Sequence, residues 1–453
     1  MLISPSVSAS CDPQRTWPPF LNIIPQILDV KQKVSPQDFT RTRKLPLSKV
    51  ILCTVSLVGN ANNNGVDTPV GTLFRNARRS GLWPDAEAVP RSALSKARQK
   101  VPWEVLQETL HEAVGVAYDL WPDDPQDTWH GMSVYAIDGS KYTLPATETL
   151  RHTFDPDSGL DQAGKGHYPE CLGSTRYDVF RRLPVARTIV SIHGSERDEA
   201  AALLPRVPEK RVVLCDRGYP SYDLFRLLTT TSRQYFIFRC AANCTFPAVE
   251  ASVKSGQAEA VIWLTPSNKA LAKLAPRQRQ RLKAIKRRVI LLPHPDGTVS
   301  VRITNLLNRR RDPREEIRAR DGKRWQVEDY YRDEKVTLQL ETFHRRTPPG
   351  IRQELFAAMI MTVLARTLMM LAANTCLKEH QRCQFKHAIL TLAAEAALLV
   401  PEDAEHARLI FNELLQDLAR VKYDPPATPR PSQPRINKHP LTKWSNRNRQ
   451  TAT

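Results

Sequence analysis

MSVYAIDGSKYTL (residues 132–144) and RVVLCDRGYPS (residues 211–221) decide how this chain is read. Each begins as a short apolar, strand-forming run and closes on an acid: Asp138 follows VYAI and Asp216 follows VVLC. Side chains just beyond the carboxyl end of a strand face the crevice where open α/β sheets bind ligands. Both acids are followed within two residues by glycine, which lets backbone turn sharply there. A single strand-terminal Asp before Gly is ordinarily a turn residue. Two of them, separated by strands and a helix, make a paired acid site an equally good reading. Outward from these stretches, CLGSTRYDVFRRL (171–183), VARTIVSIHG (185–194) and QYFIFRC (234–240) read as further strands. SERDEAAALLPRV (195–207) reads as a helix with Ser195 as N-cap and Asp198 at the third position, and SYDLFRLLTTTS (221–232) as a helix capped by Ser221. Three strands, a helix, a strand, a helix and a strand make a mixed α/β layer.

The pattern changes on either side. Residues 245 to 310 carry the strand-like VEASVKSGQAEAVIWL (249–264) and RRVILLPHPDGTVSVRITNLL (287–307), the latter turning at Asp296-Gly297. Between Asn268 and Arg288 lie nine Lys or Arg and no acid, a run that fits a solvated loop or a phosphate contact equally. Beyond Pro313, EEIRARDGKRWQVEDYYRDEKVTLQLETF (315–343) reads as one long amphipathic helix, with GIRQELFAAMIMTVLARTLMMLAAN (350–374) as its packing partner. HAILTLAAEAALLV (387–400) and AEHARLIFNELLQDLARV (404–421) follow as helices. Upstream, FTRTRKLPLSKVILCTVSLVGN (39–60) and SALSKARQKVPWEVLQETLHEAVGVAYDLW (92–121), split by Pro102, are also helical. The last 31 residues, from Tyr423, hold six Pro, six Lys or Arg and one acid, a composition suited to an extended basic tail.

At 453 residues the chain is too long for one core. Its 66 Lys and Arg against 47 Asp and Glu give a formal charge of +19, which favours a polyanionic partner, most commonly nucleic acid. Eight scattered cysteines form no zinc spacing and fit reduced thiols in the cytoplasm. The N-terminus lacks the pattern of a signal peptide, and the apolar stretch Leu355 to Leu377, interrupted by Arg366, reads as a buried helix, so no membrane partner is expected.

Two carboxylates at strand ends suggest magnesium, a hard cation usually offered only two or three protein carboxylates. Two such ions can assist an in-line phosphoryl displacement. A third acid is available at Glu328. Arg324, Glu328 and Lys335 are spaced by four and seven residues, which puts all three on one helical stripe. The same spacing also suits a surface ion-pair ladder.

The surroundings of these residues resemble the DDE insertion-sequence transposases whose third-acid helix carries a Tyr-Arg-Glu-Lys signature. Arg324, Glu328 and Lys335 stand at the signature spacings, and IDGSKYTLPAT and CDRGYPSYDLF resemble the motifs around the first and second acids. The likeness extends to ALSKARQKVPWEVL and covers most of residues 35 to 445. The signature tyrosine falls on Asp321, which would add negative charge near phosphate. The resemblance implies an RNase H-like mixed sheet interrupted by a β-rich insertion and flanked by helical regions. It divides the chain into a helical DNA-binding region (1–128), the catalytic core in two parts (129–244 and 311–375), the insertion (245–310), and a helical region with a basic tail (376–453). It implies catalysis and metal binding by Asp138, Asp216 and Glu328, and phosphate binding by Arg324 and Lys335. Mg²⁺ or Mn²⁺ would be the cofactor, and a homodimer would act on double-stranded element ends and target DNA. Trp263, in the insertion, could stack on a flipped base, although a tryptophan is more often packed in a core. The competing readings are a transposase-derived DNA-binding protein that no longer cuts, and an RNase H-like nuclease.

Overall fold

The computed structural model describes residues 34–425, apart from residue 36 and the stretches 41–43, 61–64, 122–125, 160–166, 205–210, 232–233, 242–245, 267–270, 272–275, 278–281 and 294–297. The proposed Asp296-Gly297 turn, most of the basic run after Asn268, and the tail beyond Pro425 lie outside the described residues. The described residues open with four helices: α1 (Leu47–Gly59), α2 (Asp67–Arg79), α3 (Arg91–Gln99) and α4 (Trp103–Leu120). Prolines set three of these starts. Pro46, Pro90 and Pro102 stand at the N-cap positions of α1, α3 and α4, so the predicted split at Pro102 is real.

The sheet follows. Strand β1 (Val134–Thr143), helix α5 (Glu148–Phe154), strands β2 (Glu170–Asp178) and β3 (Leu183–Ser191), helix α6 (Glu196–Leu203), strand β4 (Val212–Cys215), helix α7 (Tyr222–Arg226) and strand β5 (Tyr235–Cys240) run in that order. The Ser195 hydroxyl accepts from the Asp198 amide at 3.4 Å and the Ser221 hydroxyl from the Leu224 amide at 3.2 Å, capping α6 and α7 as expected. Strands β1, β2 and β3 are antiparallel neighbours, whereas β4 pairs parallel with both β1 and β5. The order β3-β2-β1-β4-β5 is the RNase H-like arrangement. Helix α8 (Pro247–Lys254) and strands β6 (Glu259–Leu264), β7 (Ile285–Pro293) and β8 (Val299–Thr304) come next. Strand β8 adds antiparallel to β5, and β7 and β6 add beyond it, giving an eight-stranded sheet.

Two expectations for this interval need correction. VEASVKSG is helical, because Pro247 opens α8 at its first turn and Gly256, at φ 68°, ends it. Arg287 and Arg288 belong to no loop: both are buried in β7, where Arg288 reaches Glu259 at 2.6 Å.

Downstream come α9 (Arg314–Gly322), α10 (Trp325–Arg332), a π-turn over Asp333–Thr337, α11 (Pro348–Cys376), α12 (Phe385–Ala394) and α13 (Ala404–Arg420). The single long helix predicted over 315–343 is therefore broken twice. It stops at Gly322 and, after Arg332, widens into the π-turn. Alternate residues of the central strands feed two cores. Val134, Ala136, Val212 and Leu214 face one side, and Ile137, Val213 and Cys215 face the other with α6 and α7.

Helix α11 organises the first side. It packs against α4, α1, α13, α12 and β3, and meets the Glu328-bearing segment through Arg366, which donates to Asp333 at 3.2 Å. The expected pairing of α11 with that segment thus gives way to a helical bundle, because α11 is apolar on nearly every face. Its length and composition would suit a membrane span, but almost all of its apolar window is buried within the protein. One buried ion pair locks it: Arg98 of α3 donates to Glu354 at 2.9 Å. Burial alone would raise the Glu354 carboxyl; Arg98, helped by His344, outweighs it and holds the group below the usual range. Removing one partner of such a pair strands a buried charge. Arg98→Ala is expected to lower the unfolding free energy by about 3–5 kcal/mol in urea titrations; a loss under about 1 kcal/mol, the range of surface pairs, would remove this lock from the account.

Candidate active site

Asp138 lies inside β1 rather than at its end. The strand continues to Thr143, and Asp138 pairs with Thr175 of β2. The correction has a simple cause. On its other side β1 pairs with β4 only from Val134 to Ala136, matched to Val212 through Leu214. Strand β4 ends at Cys215 while β1 runs on against β2 alone, so the crevice opens beside the middle of β1. Asp138 is two residues past Ala136, and Asp216 two residues past its partner Leu214. Both acids therefore share the side of the sheet on which Val134, Ala136, Val212 and Leu214 pack.

Helix α10 covers that side and brings Glu328. Its position is set by residues that sequence reading passed over. Glu334, in the π-turn, is fully buried and accepts from Arg187 of β3 at 2.8 and 3.0 Å. The hydroxyls of Tyr142 and Tyr330 also donate to it, each at 2.5 Å. Tyr331 adds a second tie, donating to the Asp138 carbonyl at 2.6 Å while its oxygen accepts from the Thr175 amide at 3.2 Å. Tyr330, Tyr331 and Glu334, at helical positions i, i+1 and i+4, present one face to the sheet. One signal was available: an arginine within the apolar strand run VARTIV needs a buried partner.

Arg324 joins the acids. Its Nη2 lies 2.9 Å from Glu328 and 3.9 Å from Asp216, and only 1% of its side chain is exposed. Burial would weaken its charge, but Asp216, Glu328 and Asp138 together hold its pKa above the ordinary value. Arg324, for which a phosphate contact is expected, here forms an enclosed bridge between two carboxylates. Lys335 donates to the Lys141 carbonyl and sits 5.1 Å from the centre of the Tyr142 ring, along β1 from Asp138. Asp321 adds no charge toward the crevice: it is buried against Arg239 and Arg302. Trp263 is not core but 60% exposed on β6, with the Lys286 ammonium 6.0 Å from its ring centre.

The crevice has the chemistry of a site for a hard cation. Asp216 presents a buried Oδ1 with no hydrogen-bond partner. Burial pushes the Asp138 carboxyl up to about 7, with Glu328 and Glu196 adding repulsion and Arg324 and the Gly139 amide opposing them. The unpaired Asp216 oxygen and the neighbouring carboxylates are hard oxygen ligands of the kind that magnesium-type ions take. Among the described residues no three metal-binding side chains already stand close enough to share one ion; the Arg324 guanidinium lies between two of the carboxylates instead.

A mixed sheet of this order with acids at its β1–β4 crevice defines an RNase H-like α/β protein. The chain belongs to the transposase DDE domain family, whose model matches residues 129–364 and so spans all three acids. It is similar to the transposase InsG of insertion sequence element IS4 from Escherichia coli (strain K12), with 23% identity over 388 residues, covering 84% of this chain and 82% of that protein. Among solved structures it matches a piggyBac transposase synaptic complex with hairpin DNA at a TM-score of 0.43 and 9% identity, over 94% of this chain and 87% of that one. The protein is an insertion-sequence DDE transposase, and that domain implies dependence on a divalent metal.

A carboxyl raised on folding contributes stability at low pH that is lost as pH rises through its folded value. With metal chelated, Asp138→Asn is therefore expected to melt above the wild type at pH 8, with the gap closing toward pH 5. Parallel melting curves that stay superimposed at pH 8 would mean that Asp138 is not held in a site that disfavours its charge.

Proposed function

We propose that this transposase cleaves and joins DNA at the terminal inverted repeats of its element, using Asp138, Asp216 and Glu328 as one catalytic set. The observation that carries the reading is the enclosed Arg324 guanidinium, shared between Glu328 and Asp216 beside a carboxyl as strained as Asp138. Asp216 and Glu328 share that guanidinium, and Asp138 lies within the electrostatic reach of Glu328 and Arg324; acids gathered at one crevice cost stability unless a cation is to be bound. Mg²⁺, with Mn²⁺ as a substitute, held by the three carboxylates would supply Lewis-acid activation of the attacking oxygen and stabilisation of the leaving one.

In this reading the protein's own groups orient the DNA. Lys335, anchored along β1, offers a cation to the phosphate beside the cut, and Arg324 lies within reach of the same phosphate once its carboxylates engage the metal. Water attacks the phosphodiester at the element's end and frees a 3′ hydroxyl. That hydroxyl attacks the opposite strand, expels its 3′ oxygen and forms a hairpin. A second water opens the hairpin before the freed end joins target DNA. The exposed ring of Trp263 supports a role as a platform for a base flipped out beside the hairpin. The formal charge of +19 supports a long double-stranded partner. Helices in residues 1–128 would grip the end. Residues 129–244 and 311–375 would form the catalytic core around the 245–310 insertion, and residues 376–453 would support a homodimer in which each site serves the end bound by the other subunit. The work would take place in the cytoplasm.

The test uses purified protein and a labelled duplex spanning the element's ends, with Mg²⁺ or Mn²⁺ present. Nicks at the end followed by hairpins are expected. They should fall by at least about a thousandfold in Asp138→Ala, Asp216→Ala and Glu328→Ala proteins that still bind the duplex. Nicks without hairpins would make the protein a nuclease, and binding without cuts a DNA-binding derivative.

A further inference from the structure

Arg239 of β5 and Arg302 of β8 are direct partners across an antiparallel pair. Side chains so placed stand on one face about 5 Å apart at Cβ, and like charges there repel. Asp321, at the end of α9, resolves the conflict. Its Oδ2 accepts from Arg302 Nη2 at 2.7 Å, from Arg239 Nη2 at 3.1 Å and from Arg239 Nε at 3.2 Å. The carboxylate is 3% exposed and Arg302 is 7% exposed, whereas Arg239 keeps 19% of its side chain in solvent.

Two guanidiniums sharing one carboxylate leave one surplus positive charge, and Arg239 is the end of the cluster that solvent reaches. Its guanidinium also sits 5.6 Å from the centre of the Trp325 ring, which is 43% exposed and carries Arg324 at 5.2 Å. Trp325 thus links the cluster to the acid crevice, and Arg302 lies within the electrostatic reach of Asp216. A fork held on one side by a carboxylate and shelved on an aromatic face has lost most of its rotamer freedom in advance. Such preorganisation favours bidentate capture of phosphate.

We propose that Arg239 is a phosphate-binding residue at the mouth of the active site, and that Asp321 is the positioning residue that aims it. The inference rests on the reading of this crevice as a DNA site. It reverses the role that charge alone would give Asp321, since an acid near DNA should weaken binding and its removal should strengthen it.

The opposite signs make the test. Anisotropy of a labelled duplex spanning the element's ends is measured without metal over a range of NaCl concentrations. R239A is expected to bind about tenfold more weakly, and its log–log salt slope to be shallower by about 0.9, the share of one phosphate. D321N is expected to bind more weakly as well, although it loses a negative charge. R239K should not restore the affinity, because an ammonium lacks the fork. Tighter binding by D321N, or an unchanged slope in R239A, would overturn the proposal. If D321N fails to fold, as melting would reveal, R239A, which alters the most exposed member of the cluster, decides the matter. Wild-type protein without salt-dependent binding would instead remove the DNA reading itself, and this inference with it.

Discussion

Glu334 and Arg187 form the constraint on which the site depends. Both are fully buried, and the pair joins the segment after Glu328 to β3, two strands away from the crevice. Coulomb attraction in a dry interior offsets the desolvation of two ions only when the remaining lone pairs and N–H groups are also satisfied. Tyr142 and Tyr330 fill the remaining positions on the carboxylate, and Arg187 Nε donates to the Thr175 hydroxyl at 2.9 Å. That network ties the π-turn at Asp333–Thr337 to the sheet, and with it α10, which carries Glu328.

The same device recurs through the molecule. Arginines that would be read as surface charge are buried and paired: Arg98 with Glu354, Arg288 with Glu259, Arg302 with Asp321, Arg324 with Glu328. These pairs contribute little net stability against apolar replacements, but each strongly disfavours any arrangement that separates its partners. They pin helix to helix at Arg98–Glu354, strand to strand at Arg288–Glu259 and sheet to helix at Arg302–Asp321. The excess positive charge over these pairs is what remains available for a polyanion.

Much of this was legible in the sequence. VVLC reads as a buried central strand because four apolar residues ending at an acid have few other uses, and Ser195 and Ser221 announce their helices by local capping chemistry. The three acids stood out through the motifs around them. What could not be read was long-range. Asp138 looks strand-terminal because polarity begins there, yet β1 continues against β2; only the length of its neighbour β4 shows that the crevice opens mid-strand. The stripe of Arg324, Glu328 and Lys335 assumed a regular helix, whereas the segment widens into a π-turn whose Glu334 finds its partner 147 residues away in the sequence. Asp321 looked like a defect because its counter-ions, Arg239 and Arg302, come from two strands that only the folded sheet sets side by side.

On the proposed reading, the carboxylates of Asp138, Asp216 and Glu328 would close on a cation, with the Arg324 guanidinium that now lies between two of them giving way. The most direct test is anomalous scattering from crystals grown with Mn²⁺ and an end duplex. The account predicts manganese peaks bounded by these three carboxylates, with the Arg324 guanidinium displaced from between Asp216 and Glu328. Manganese bound elsewhere, with the Arg324 bridge intact, would contradict it.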